Sequence, residues 1–301
     1  MINACFIYFP PHYDTIHYII KEGDDMAPSK IIRGIDKGTF LLKRDFSQES
    51  NWRADHCYKF IYSLDGMINY QTNRNQINFN HHQYILFNPQ DEHKQLAVEG
   101  KKFLIELNPT FLNHVSKSVG FVVQNDIQFA LNVQKSPQIS NWVKFVLDYI
   151  VIEKNDPHAV ELFLEHSFSQ LALILLKNAV GTHTQDIHVN SYKIISPQIY
   201  ATICALKESY PYSWNLDQMA EIANLNKYQF AHFFKEIIGI SPYSWLQLYR
   251  IIRSQEMLIK TDKTTLQIAM DCGFSSITVY NQLFKRLYGI TPEVFRERMN
   301  K

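Results

Sequence analysis

The sequence predicts an α+β chain whose first half holds short antiparallel strands and whose second half is helical. Between residues 38 and 109, alternating apolar segments are separated by turn residues, and no helical period lies between them. Between residues 216 and 296, a motif of two short helices is written twice, fifty residues apart. We therefore expect an N-terminal β domain with a helical hairpin, followed by an all-α C-terminal domain.

The N-terminal half contains seven segments with the alternation of β-strands. Seven short strands joined by tight turns favour an antiparallel barrel or sandwich. Asp65-Gly66, between the second and third segments, is typical of a two-residue hairpin turn. Residues 1–30 have no clear period, and we assign them only to an arm beside the next domain. The predicted strands are residues 40–46, 58–64, 67–72, 76–79, 83–87, 94–98 and 102–107.

Residues 140–180 have the apolar period of helices, with a break at Asp156-Pro157. Two amphipathic helices can pack on the β domain, pair with a second copy of the chain, or do both. For the pairing alternative, Leu171 and Leu175 are the expected contact. Residues 181–191 are polar and predict a linker. The predicted organisation is therefore residues 1–180, a linker over 181–195, and residues 196–301.

The repeated motif has the chemistry of a helix, a turn, and a second helix that ends at a glycine. A helix-turn-helix of this kind places its second helix in the DNA major groove. The helix between the units, Pro242–Lys260, spans about 28 Å at about 1.5 Å per residue, close to the ~34 Å repeat of B-DNA. The two second helices can therefore enter successive groove segments. The matched positions are Phe230/Tyr280, Phe234/Phe284, Lys235/Lys285, Gly239/Gly289, Ile240/Ile290, Ser241/Thr291, Pro242/Pro292 and Trp245/Phe295.

On this signature, residues 196–299 resemble the AraC/XylS family of bacterial transcription regulators. The resemblance implies a double helix-turn-helix domain that binds promoter DNA, a homodimer, and RNA polymerase as a further partner. It also implies an N-terminal cupin-like barrel that binds a small-molecule effector. Leu86-Phe87-Asn88-Pro89 followed by His93 resembles the turn that closes a cupin strand. The expected function is an effector-responsive regulator, more often an activator than a repressor.

The candidate DNA-reading residues are those that point away from the apolar core of each recognition helix. The family positions select the same sets. Neither set contains the Arg that most relatives carry, because His232 and Gln282 occupy those positions. The candidates are Lys227, Tyr228, Ala231 and His232 in the first helix, and Ile277, Thr278, Asn281 and Gln282 in the second.

These side chains predict a preference for A/T-rich sites. Asn281 and Gln282 suit adenine, whereas Ile277 and Thr278 can contact a thymine methyl group. Basic residues at the helix ends, by contrast, are expected to bind phosphates, which position a protein without specifying sequence. A structural role, holding helices together, is favoured for Arg250 and Arg296. The candidate phosphate contacts are Lys235, Lys285 and Arg286.

The candidate effector pocket follows from strand alternation. Phe60 and Tyr62 share one face of their strand, and Tyr84 and Leu86 share one face of theirs. A phenol inside a barrel offers a polar group to a ligand. The alternative is that these residues fill the barrel as core.

Composition and charge set limits on function. The net charge is +1, but residues 197–301 hold 12 Lys+Arg against 9 Asp+Glu, so the basic excess lies in the repeated region. The 4 cysteines form no CxxC pair, which argues against structural zinc and disulfides. No span or leader is recognised, so we expect a cytoplasmic protein without membrane contact.

Two alternatives to a regulator remain open. One is a metal-dependent cupin enzyme fused to DNA-binding repeats, which needs clustered histidines and a carboxylate. His56, His81, His82 and His93 are present, but Tyr58 stands where a second imidazole of an H-x-H pair is needed. We therefore predict no catalytic residue, metal or cofactor. The other alternative is an architectural protein that binds DNA without a signal.

Overall fold

The computed structural model describes residues 30–35, 37–43, 51–120, 127–153, 155–184 and 196–299. Residues 1–29 of the predicted arm and most of the predicted linker lie outside these residues. Within them, strands are confined to the N-terminal half and the C-terminal half is entirely helical. The α+β class is therefore confirmed at the level of antiparallel sheets followed by a helical domain.

Two antiparallel sheets form the N-terminal domain. One has the strand order β1-β2-β8-β3-β6-β9 and the other the order β5-β4-β7. Six of the seven predicted strands match within one residue at each end, and the remaining one, β2, begins two residues earlier and ends three residues earlier than predicted. The strands are β1 (Lys30–Ile35), β2 (Gly38–Lys43), β3 (Tyr58–Ser63), β4 (Ile68–Thr72), β5 (Gln76–Phe79), β6 (Gln83–Phe87), β7 (His93–Val98), β8 (Lys102–Leu107) and β9 (Gln134–Lys135).

Ten helices are found in the described part of the chain. The predicted hairpin corresponds to α2 and α3, whereas α1 was not predicted. The helices are α1 (Pro109–Ser118), α2 (Pro137–Ile152), α3 (Pro157–Asn178), α4 (Pro197–Glu208), α5 (Leu216–Ile222), α6 (Lys227–Ile238), α7 (Pro242–Lys260), α8 (Thr265–Asp271), α9 (Ile277–Tyr288) and α10 (Pro292–Met299).

Asp65-Gly66 does not form the predicted hairpin. β3 and β4 belong to different sheets, so the chain crosses between the sheets here. Both edges of β3 are already occupied, by β6 and β8. Gly66 has a φ of 68°, and a Cβ would lie 1.7 Å from the Glu99 carbonyl oxygen. The glycine is therefore needed for a close crossing between sheets.

The larger sheet has a different core on each face. Ile61 and Ile85, on one face of the larger sheet, pack against Ile68 and Phe79 of the smaller sheet. The opposite face of the larger sheet is covered by α1, α2 and α3. A single cluster joins its aromatic side chains to these helices, including Trp142.

The helix α3 is central to this second layer. Among the described residues it is the one helix long and apolar enough to cross a membrane, by length and composition. Leu171 and Leu175 are both 0% exposed in the cluster beneath the sheet. The prediction that they form an intermolecular contact is therefore wrong, because both side chains are buried in the core of their own domain.

Acidification is expected to destabilise the N-terminal domain through His183. This residue is 8% exposed, and its Nε2 lies 3.0 Å from the Leu176 carbonyl oxygen. Burial lowers the pKa of His183 to about 4, although the hydrogen bond to Leu176 acts in the opposite direction. Because the unfolded imidazole has a pKa of about 6.5, the unfolded chain binds more protons between these values. The free energy of unfolding should therefore fall as the pH is lowered through that window.

Urea unfolding at pH 7 and at pH 5 measures this effect. His93 also has its pKa lowered to about 4, mainly by burial, and contributes in the same window. His183→Gln keeps a donor for the Leu176 carbonyl but does not titrate, so it should reduce the pH dependence without abolishing it. An unchanged difference between the two pH values would contradict the assignment to His183.

Candidate nucleic-acid interface

The first helix of each repeat unit begins with the same capping box. Asn215 and Gln218 exchange side-chain and backbone bonds at the start of α5. Thr264 and Gln267 do so at the start of α8. Each box satisfies backbone N–H groups that a short helix otherwise leaves unpaired. The first helix of each unit therefore starts at a residue that its own side chains define.

The turn inside each unit is also closed in the same way. The Leu225 amide donates to the Ala220 carbonyl at 3.1 Å, and the Phe274 amide donates to the Ala269 carbonyl at 3.0 Å. Asn224 and Gly273 precede these amides with φ of 53° and 82°. Both are left-handed, a conformation that Gly and Asn tolerate. The turn is therefore closed by the same backbone hydrogen bond and by a left-handed residue at the same position in both units.

The recognition helices α6 and α9 each bury one face and expose the other. Phe230 and Phe234 are fully buried in α6, as Tyr280 and Phe284 are in α9. The helices end at Gly239 and Gly289, which have left-handed φ of 93° and 79°. The predicted separation of a core face from an outward face is confirmed.

Three candidate residues of α6 lie on its exposed face, and Lys227 is partly exposed. Tyr228 is 78% exposed, and His232 and Lys235 are also exposed. The Lys227 ammonium lies 3.4 Å from an Asp217 carboxylate oxygen and 5.7 Å from the centre of the Tyr228 ring. At this exposed position such an ion pair is weak. Lys227 is therefore able to exchange Asp217 for a phosphate.

Ala231 is half-buried, as are Ile277 and Asn281 of α9. Thr278, Gln282 and Lys285 are exposed. The side-chain oxygen of Asn281 is buried and has no hydrogen-bond partner within the described part of the chain. An amide in this state has unused hydrogen-bonding capacity.

Arg286 is set apart from the other candidates. Arg286 and Gln282 both line a cleft between the two domains. The Arg286 carbonyl oxygen, moreover, accepts a hydrogen bond from Arg74 of the N-terminal domain at 3.4 Å. No local pattern predicts this contact, because Arg74 and Arg286 are 212 residues apart in the chain.

Arg250 and Arg296 hold loops to helices, as favoured from the sequence. The Arg250 guanidinium donates to the carbonyls of Tyr210 and Tyr212, both at 2.8 Å. The Arg296 guanidinium donates to the carbonyls of Leu258 and Lys263, at 3.0 and 2.6 Å. In each unit, the helix that follows the recognition helix thus fixes the loop that precedes the first helix.

The helix α7 connects the two units through two separate cores. Trp245 and Leu246 pack into the core of the first unit. Leu248 and Ile251 pack into the core of the second unit. Because protein cores are close-packed, both units are fixed on one helix of 19 residues. This length corresponds to about 28 Å at about 1.5 Å per residue.

The four predicted effector-pocket residues lie together, but in a closed layer. Phe60, Tyr62, Tyr84 and Leu86 are each 0–1% exposed and face the helices, away from the space between the two sheets. The Tyr62 hydroxyl lies 2.6 Å from His82 Nδ1 and donates to Ser140 at 3.0 Å. These four residues are therefore part of the hydrophobic core, which is the alternative to a ligand pocket. They lie on the face of the larger sheet that points away from the interior of the predicted barrel.

A cavity of about 1290 Å³ lies between the two domains. One wall is formed by Arg74 and its neighbours on the β4–β5 turn, and another by Trp214, Tyr243 and Gln282. Elsewhere, the described residues contain no group of three or more His, Cys, Asp or Glu side chains that could hold a metal ion.

Comparison with known proteins identifies the repeated region. Residues 219–298 match the model of a family described as "Helix-turn-helix domain". The transcriptional regulator MtrA of Neisseria gonorrhoeae is 24% identical over 161 residues, which are 52% of this chain and 52% of MtrA. The C-terminal region of this chain is therefore a helix-turn-helix domain of the AraC type.

Two further AraC-family relatives match over shorter stretches. The virulence regulon transcriptional activator VirF of Yersinia enterocolitica is 31% identical over 91 residues, or 30% of this chain and 34% of VirF. The regulator ExsA of Pseudomonas aeruginosa is 28% identical over 92 residues, or 31% of this chain and 33% of ExsA. The chain thus spans between about a third and about half of the length of these relatives.

Proposed function

We propose that this chain is a sequence-specific DNA-binding regulator of transcription. The observation that carries the proposal is the duplication of a helix-turn-helix with both reading faces exposed and both units fixed on α7. Such a frame suits a DNA site with two half-sites about one helical turn apart. The proposed site residues are the exposed candidates of α6 and α9, with Lys235, Lys285 and Arg286 toward phosphates.

Selection of binding sites from a random DNA pool tests this proposal. The full chain should enrich one bipartite sequence, with A/T-rich positions where α9 reads. Its affinity should also fall with salt, by a log–log slope of about −0.9 for each phosphate neutralised. Equal affinity for every sequence at moderate salt would instead favour the architectural alternative.

The proposal includes activation, with RNA polymerase as the protein partner and the cytoplasm as the location. VirF, a relative of the C-terminal domain, is by name a transcriptional activator. A reporter gene placed downstream of the selected site should rise in expression when the chain is produced. If expression falls at every tested distance between the selected site and the promoter, the chain is a repressor.

A homodimer formed through α2 and α3 is part of the proposal. Phe145, Ile152 and Leu162 are 54%, 73% and 59% exposed on these helices, unlike the buried Leu171 and Leu175. Large apolar side chains exposed together mark interaction sites. A second copy of the chain is the occupant we propose.

Phe145→Asp combined with Leu162→Asp is therefore expected to convert dimers to monomers, because a charge at this contact is buried without a partner. Sedimentation of the full chain measures the change. Met67→Asp, at a 37% exposed position outside the hairpin, is the matched control and should remain dimeric. A folded double variant that stays dimeric would place the interface elsewhere.

A small-molecule effector, bound beside a cupin-like barrel, completes the proposal. In the closed aromatic layer Tyr62 and Tyr84 are each only 1% exposed, so we propose that the effector binds in the interdomain cleft. The cleft volume of about 1290 Å³ is above the ~300–1,000 Å³ that is usual for ligand pockets, so the cleft has room for a small molecule. A ligand that alters DNA affinity should protect the backbone amides near Gln76 and Tyr243 from hydrogen exchange. Protection of β3 and α2 instead would return the site to the aromatic layer.

Metal analysis of the purified chain distinguishes the cupin-enzyme alternative from a regulator. The purified full chain is expected to contain less than one equivalent of any transition metal. A stoichiometric metal that is lost together with a catalysed reaction would favour the cupin-enzyme alternative.

A further inference from the structure

Both recognition helices end against the N-terminal domain. In the first unit, the Gln83 side-chain Nε2 donates to the Gly239 carbonyl at 3.0 Å. The Lys135 ammonium donates to the carbonyl of Glu236, in the last turn of α6. The donors come from β6 and β9, which are neighbours in the larger sheet.

The second unit is held at the corresponding place. The Leu131 amide donates to the Leu287 carbonyl at 3.0 Å. Arg74 Nη1 donates to the carbonyls of Arg286 and Leu287, each at 3.4 Å. Glu236 and Arg286 are equivalent positions of the two repeats, fifty residues apart. The N-terminal domain therefore binds the same end of both recognition helices.

Arg74 is held in place from the opposite side. Its Nη2 lies 2.7 Å from an Asp91 carboxylate oxygen, and Asp91 is 7% exposed. The other Asp91 oxygen accepts the Asn88 amide at 2.8 Å, so the carboxylate cannot follow a moving arginine. The guanidinium thus bridges a fixed point in the N-terminal domain and the end of α9.

The chemistry of a helix end explains why these donors bind there. The last carbonyls of a helix lack intrahelical partners and carry the negative end of the helix dipole. Cationic donors such as Arg74 and Lys135 donate hydrogen bonds to these carbonyls and place a positive charge at the negative end of the dipole. The glycines that end the helices also make room, since a Cβ at Gly289 would lie 2.3 Å from Arg74 Nη2 and one at Gly239 would lie 2.7 Å from Lys135 Cβ.

We propose that Arg74 is a positioning residue for DNA recognition, which fixes the end of α9 to the N-terminal domain and so adds to α7 in restricting the spacing between the two recognition helices. Gln83 and Lys135 fix α6 to the same domain. The range of half-site spacings that the chain tolerates is thus restricted by Arg74, Gln83 and Lys135 as well as by α7. This inference rests on the proposed function, and its residues are distinct from the DNA-reading residues.

Insertion of one base pair between the half-sites tests the proposal. The insertion shifts one half-site by about 3.4 Å and rotates it by about 35°. The parent chain should lose about tenfold in affinity, the cost of about one good base contact. Arg74→Ala should lose only about twofold, because α9 is freer to follow the displaced half-site. Arg74→Lys keeps a cation at the helix end and should restore most of the parent's discrimination.

Gln76→Ala is the matched control. Gln76 lies on the same turn and lines the same cleft, and its side chain donates only within β5, to Asn78, among the described residues. The Gln76→Ala chain should lose as much affinity for the lengthened site as the parent chain does. An Arg74→Ala chain that loses as much affinity as the parent on the lengthened site would overturn the proposal. A parent chain that enriches no sequence at all would instead refute the proposed function.

Hydrogen exchange of the full chain without DNA provides an independent test. Arg74→Ala should speed exchange in the last turn of α9 by about tenfold and leave α6 unchanged, whereas Gln83→Ala should act on α6 alone. Unchanged exchange in α9 would overturn the proposal whether or not the chain binds a specific site.

Discussion

Arg250→Ala is expected to destabilise the C-terminal domain by about 3 kcal/mol, since each hydrogen bond to a charged group contributes about 1.5–3 kcal/mol. Arg250 is 4% exposed, and its two donor contacts connect α7 to the loop before α5. Its removal leaves the carbonyl of half-buried Tyr210 without this donor. Denaturant unfolding of the full chain, followed by a signal from the C-terminal domain, measures the loss.

Two further variants make this result specific. Arg253→Ala removes an arginine from the same helix, but the contacts it breaks, an ion pair with Glu256 at 2.9 Å and a side-chain hydrogen bond with Tyr210, lie between partly exposed groups. It should therefore cost less than about 1 kcal/mol. Arg250→Lys keeps the charge but not the paired donors, and should fall between the two alanine variants. Equal losses for Arg250→Ala and Arg253→Ala would contradict a bridging role for Arg250.

The C-terminal domain could be predicted from its sequence because its signals are local. Asn215 with Gln218, and Thr264 with Gln267, define the starts of helices within four residues of chain. Gly239 marks a helix end because few other residues adopt its left-handed conformation. The outward faces of α6 and α9 followed from the same short-range pattern. What each exposed residue contacts on DNA stays a prediction.

The N-terminal domain was less predictable, because its arrangement depends on contacts between distant residues. Alternation placed Phe60 and Tyr62 correctly on one face, but not which layer covers that face. Asp65-Gly66 has the composition of a hairpin turn, yet the pairing of β3 with β6 and β8 decides its role. The contact of Arg74 with α9 spans more than 200 residues and has no local signal.

The second large effect concerns the reading of DNA by two separate helices. Gln282→Ala removes an exposed amide that can form paired hydrogen bonds with adenine. Binding should weaken by about 1–3 kcal/mol, with preference lost at one base pair. His232→Ala should act on the other half-site, about one helical turn away. His232→Arg should tighten binding and favour guanine there, because arginine supplies a bidentate donor.

The base preference of these three variants, measured at every position of the selected site, tests the two-helix account most directly. Asn78→Ala, which changes an exposed cleft residue of the N-terminal domain, is the control and should keep every preference of the parent. The account predicts that Gln282→Ala and His232→Ala relax different base pairs, about one turn of DNA apart. Relaxation of the same base pair by both variants, or of none by either, would contradict it.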